Sequence, residues 1–144
     1  MTAGVMRSAG SGRKRRRQSG PDIERAVEIN LRMWVDGPQR QPADVDPGVR
    51  EQVRQMLELN LPRQGEDEAR DLEPLAINRL GEIQAPTLVI VGSWDMPEII
   101  DSSRMLAQEI RAARIEQMAG VVHLPNMEQP DEFNRLVLEF VASV

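Results

Sequence analysis

Apolar residues recur at helical spacing early in the chain, with Ile23, Ala26, Val27, Leu31 and Trp34 on one face. Asp22 stands where an N-cap is needed, and Gly37-Pro38 supplies the stop. A loop over 37–48 follows. Asp46-Pro47 then opens a second helix, with Asp as cap and Pro at the first helical position, where its missing N–H costs nothing. The apolar face there is Val49, Val53, Met56 and Leu57, ending at 60–62. Residues 63–71 are polar and expected to be exposed, and 72–80 form a weaker helical stretch. The pattern then changes. Residues 87–91 are one compact, largely β-branched run between Pro86 and Gly92, which predicts a strand buried on both faces of a parallel sheet. Val89 and Val91 should face one side, Leu88 and Ile90 the other. Pro97 opens a helix carrying Ile99, Leu106 and Ile110, and 114–118 alternate as a shorter strand. A loop over 120–130 leads to a last helix, capped by Asp131, with the stripe Phe133, Leu136, Val137, Phe140 and Val141. Strand, helix, strand, loop and helix in this order predict an α/β fold with parallel strands.

Composition narrows the function classes. The 144 residues are 40% apolar and only 3% aromatic, a poor supply for a base-stacking platform. No apolar run has the length of a membrane span, and no h-region follows the basic start, so a cytoplasmic location is expected. There is no Cys and one His, which excludes disulfides, Cys-ligated zinc and a His-rich metal site. An all-carboxylate site stays open, but no cofactor or metal is expected. The net charge of −5 is divided unevenly: residues 1–17 carry +6 and the remainder −11. The acidic body argues against nucleic acid as a partner. Residues 1–20 read as a disordered basic tail, in which the Arg/Lys run 13–17 is either a nuclear-import or nucleic-acid patch or simply a solvated segment.

Two residues are placed for chemistry. Asp95 lies three residues beyond the Gly that ends the buried strand, and ligands of open α/β sheets bind beyond the carboxyl ends of the strands. His123, in Gly-Val-Val-His-Leu-Pro-Asn, follows the next strand. If the two strands are neighbours, Asp95 accepts from one ring nitrogen and leaves the other to take a proton from a nucleophile. The same residues also suit a loop or cap Asp and a surface His. Trp34 and Trp94 are candidates for a substrate pocket wall, as are Met33 and Met56, with packing as the other reading. Glu128 reads either as an orienter of the His loop or as an exposed acid.

These residues carry a resemblance. Pro86-Thr87-Leu88 through Gly92 to Asp95 matches a P-T-L-x-x-x-G-x-x-D pattern, and Gly120, His123, Glu128 and Pro130 match G-x-x-H-x-x-x-x-E-x-P. Residues 80–144 thereby resemble the C-terminal segment of cap-bearing α/β-hydrolases, a group that includes carbon–carbon bond hydrolases, enol-lactonases and esterases. Residues 21–79 resemble the helical cap inserted before that segment. The resemblance implies the last two parallel strands of such a sheet with flanking helices, Asp95 as triad acid and His123 as triad base.

The same family places its nucleophile on a G-x-S-x-G elbow. None of Ser8, Ser11, Ser19, Ser93, Ser102, Ser103 and Ser143 has Gly two positions to each side. Two function classes follow. One is a truncated hydrolase, inactive alone, whose parent cleaves an ester, lactone or C–C bond of a small molecule. The other is a non-catalytic binding or interaction module derived from a hydrolase. Self-association, or a complementing N-terminal half, is the expected partner in either case, with no membrane involved.

Overall fold

The computed structural model describes residues 20–63 and 73–144. The expected basic tail therefore lies outside the described residues save for Gly20, as does most of the polar stretch 63–71.

Helix α1 (Gly20–Leu31) runs on into a wider π turn, Arg32–Asp36. It starts two residues before Asp22, which sits in the first turn and is not the cap; an acid there still favours the helix dipole. Val27, Leu31 and Val35 recur every fourth residue and are buried against Val45 and Val53. Gly37 ends the run at φ +72°, its N–H donating to the Arg32 carbonyl at 3.1 Å. Helix α2 (Pro47–Asn60) is capped as expected, with Asp46 Oδ1 accepting from the N–H groups of Gly48 at 2.8 Å and Val49 at 3.1 Å. Val53 is buried, with Val49 and Leu57 packed beside it. Met56 is 49% exposed, contrary to expectation. It lies about 60° around the helix from Val53, at the stripe's margin.

A buried charge ties the two helices. Asp36 is fully buried and takes Arg50 Nε at 3.0 Å and Arg32 at 3.3 Å, while Arg50 and Arg54 reach Glu28 at 2.7 and 2.9 Å. Beyond α2, the weak helical stretch forms as a 3-10 turn, Ala76–Glu82, shifted toward the strand.

Strands β1 (Thr87–Gly92) and β2 (Ala113–Met118) pair in parallel, Thr87 against Ala113 through Gly92 against Met118. Helix α3 (Pro97–Glu109) joins them and packs on both. On the face that Ile90 and Met118 share, Val121, Phe133 and Leu136 complete a second core. Burial of β1 is complete only at Val91 and Gly92, and Thr87 to Ile90 are half-buried. The reason is that only two strands pair among the described residues, so one edge and part of each face stay open. The loop expected over 120–130 contains a short helix, α4 (Pro125–Glu128), and α5 (Pro130–Ala142) starts with Gln129 as its cap. Each helix begins with Pro at its first position, which displaces the expected Asp131 cap into the first turn. Leu136 is buried, but Val141 is exposed where the sheet no longer covers the helix.

Candidate active site

The end of β1 and the loop after β2 touch through a glycine. A Cβ on Gly92 would lie 2.1 Å from the Val122 carbonyl oxygen and 2.3 Å from that of Val121, so any side chain would force the loops apart. The contact is then stitched by hydrogen bonds. Ser93 N–H donates to the Met118 carbonyl at 2.8 Å, and Trp94 N–H to that of Val121 at 3.0 Å. Ser93 Oγ accepts from Gly120 N–H at 2.9 Å, which makes this serine a tie between loops.

This arrangement carries Asp95 and His123 to the same sheet edge. Asp95 is 3% exposed. Its Oδ1 accepts from Met96 N–H at 2.8 Å, which fixes the carboxylate plane, and its Oδ2 lies 2.8 Å from His123 Nδ1. The imidazole side chain is 38% exposed. A carboxylate can only accept, so neutral His123 carries its proton on Nδ1 and keeps the Nε2 lone pair for an incoming proton. Among the described residues Nε2 makes no hydrogen bond.

Of the two tryptophans, Trp34 reaches the site itself. Its ring packs against His123 in a tilted contact, with centroids 4.5 Å apart and planes at 44°. Trp94 is half-exposed at the rim, with the Arg40 guanidinium 5.9 Å from its ring centre. Met33 lines an open groove of about 470 Å³ together with Ile29, Arg32, Gly37, Pro38 and Met96, and neither Asp95 nor His123 is among its lining residues. Met56 takes no part in it.

One residue, Arg40, was not legible as a site component, and of the two readings of Glu128 the structure excludes one. Glu128 is not an exposed acid. Its Oε1 accepts from Val122 N–H at 2.8 Å and its Oε2 holds Arg40 at 2.5 Å, with its side chain 9% exposed. Arg40, drawn from a polar loop, carries no sequence signal at all; its partner lies 88 positions away. Among the described residues, no group of three or more His, Asp or Glu side chains is arranged to hold a metal. No helix among them is long and apolar enough to cross a membrane.

No family model matches the chain. Curated relatives do. A 66-residue segment, 46% of this chain, is 35% identical to 3-oxoadipate enol-lactonase 1 of Acinetobacter baylyi and covers 24% of that protein. A 63-residue segment is 40% identical to 2-hydroxy-6-oxo-6-phenylhexa-2,4-dienoate hydrolase of Comamonas testosteroni, covering 44% of this chain and 22% of that one. The fold is shared with MenH from S. aureus at a TM-score of 0.64 and 21% identity, over 85% of this chain and 46% of that one. An esterase from Thermogutta terrifontis superimposes equally well, at a TM-score of 0.64 and 21% identity, over 88% of this chain and 46% of its own. The match thus spans about a quarter of the curated relatives' length and just under half of each solved chain.

Proposed function

We propose that this chain, which shares the α/β-hydrolase fold over just under half of each solved relative, is the acid–base part of a small-molecule hydrolase. The observation that carries this reading is the 2.8 Å contact between His123 Nδ1 and the buried Asp95 Oδ2. In this role His123 Nε2 takes the proton of an attacking hydroxyl and later returns it to the leaving group. Asp95 holds the tautomer and stabilises the imidazolium. The bond cleaved is an ester, a lactone or an activated C–C bond, in keeping with the relatives' names. Residues 21–79 act as the cap, placing Trp34 over the imidazole and, with Trp94, walling the substrate.

The reaction also needs a nucleophile and an oxyanion hole. The 144-residue sequence has no G-x-S-x-G elbow, and Ser93 Oγ is engaged with Gly120 N–H. The chain by itself is therefore expected to show no serine-hydrolase turnover, and a complementing segment must bring the missing groups. Burst kinetics on an activated aryl ester, paired with fluorophosphonate labelling, test this. No burst and no label are expected. A stoichiometric burst with a labelled Ser, abolished by His123→Ala, would show a complete active site in this chain and overturn that part of the reading. The acid–base assignment is tested separately by long-range ¹H–¹⁵N spectra, free of overlap because His123 is the one histidine of the chain. A dominant Nδ1–H tautomer that is lost in Asp95→Ala is the expected result.

A further inference from the structure

Among the described residues, one ion pair joins the helical segment to the loop that bears His123. Arg40 and Glu128 meet with side chains 8% and 9% exposed, which among the described residues makes them the ion pair most fully withdrawn from water on both sides. Burying such a pair does little for stability, because desolvation of both ions offsets most of their attraction. Its hydrogen bonds point to a different role. Arg40 Nε donates to the Asp36 carbonyl at 3.0 Å and Nη2 to the Val35 carbonyl at 2.6 Å, so the guanidinium is anchored on the π turn that also carries Trp34. Nη1 grips Glu128 Oε2, and Glu128 Oε1 accepts from the N–H of Val122, the residue before His123. The guanidinium also lies over Trp94, the residue before Asp95.

From this we infer that Arg40, acting through Glu128, is a positioning residue for His123. The π turn holds the imidazole from two directions: Trp34 packs on its ring, and the Arg40–Glu128 bridge fixes the backbone that bears it. Seating of the helical segment and assembly of the Asp95–His123 pair are then one event. The importance of this latch to turnover rests on the acid–base reading above; the geometry it controls does not.

The test is NMR on the full 144-residue chain. In Arg40→Gln and in Glu128→Gln the Nδ1–H tautomer of His123 should lose population and Val122 N–H exchange should speed up by about tenfold or more. Arg40→Lys, which keeps the charge but not the three-way fork, should recover part of both effects. A purely structural pair would lower Tm and leave the tautomer unchanged. A folded Arg40→Gln or Glu128→Gln with wild-type tautomer and wild-type Val122 exchange overturns the proposal. Should both variants fail to fold, the wild-type chain decides. Arg40 Nε–H and Val122 N–H should then open together, within about threefold of each other. Val122 opening about 100-fold faster would show the latch does not hold it. Asp95→Ala separates the two readings: an unchanged tautomer there defeats the acid–base assignment, and the latch is then decided by Val122 exchange alone.

Discussion

Gly92 and Gly37 stand where the two halves of the site come closest, and both owe their identity to what a Cβ would strike. At Gly92 the obstacle is backbone oxygen, which cannot step aside, so Gly92→Ala should cost several kcal/mol or prevent folding. At Gly37 a Cβ would lie 2.7 Å from Val122 Cγ2 and 3.1 Å from the Trp94 carbonyl oxygen, with φ at +72° adding strain. Gly37→Ala should lose about 1–3 kcal/mol. Gly81 is the control: nothing lies within 4 Å of its Cβ position and its φ is ordinary. Gly81→Ala should be neutral or gain up to about 1 kcal/mol by restricting the unfolded chain. Urea denaturation of the three variants checks the order. If Gly92→Ala matched Gly81→Ala in stability, the loops would not be pressed together as described. The same local logic made Asp95 and His123 legible in sequence: each lies a few residues past a recognisable strand. Glu128 was legible only as one of two alternatives and Arg40 not at all, because their burial depends on a contact 88 positions apart that no local pattern encodes.

At the scale of elements, signals held in a few adjacent residues were readable. The Asp46-Pro47 start of α2, the Gly37 stop and the β1 run are each specified by backbone chemistry within five or six positions. The helix hidden in 120–130 was missed because four residues are too few to show a period, and Pro125 reads equally as a loop residue. Asp46→Ala should cost about 1 kcal/mol through loss of the carboxylate that accepts from two backbone N–H groups, measured by urea melts. The bridge between α1 and α2 has a pH signature. Burial alone would raise the Glu28 pKa, but hydrogen bonds and charge from Arg50 and Arg54 outweigh it and hold the carboxyl below 4.5. A depressed folded-state pKa contributes stability above the unfolded value and loses it as pH falls through the folded one. Glu28→Gln should therefore be less stable than wild type at pH 7, and the gap should close as pH drops below 4.5. Its size should stay under about 1 kcal/mol, since Glu28 is partly exposed and screened. A gap that persisted unchanged to pH 2 would assign the loss to packing and not to charge.

For the whole molecule the balance of covered and uncovered surface decides behaviour. Among the described residues two small cores form, one between α1 and α2 and one under α5, with a two-stranded sheet beside them. Such a sheet is marginal unless helices pack on it, and α3 and α5 supply part of that cover. Among the described residues, two open surfaces stand out. The free edge of β1 presents backbone groups that another strand can pair with. The outer side of α5 exposes Leu138 and Val141, together with the following Val144. Both favour association over a lone monomer. Sedimentation should show an average mass that climbs with concentration, and unfolding midpoints should climb with it by mass action. The two surfaces can be told apart. Leu138→Lys with Val141→Glu removes the apolar patch without touching the strand. Association that survives this change points to the open strand edges, and association that disappears belongs to α5. A compact monomer at every concentration, unfolding cooperatively at high temperature, would mean that the helices already satisfy the sheet and that the open edge draws no partner.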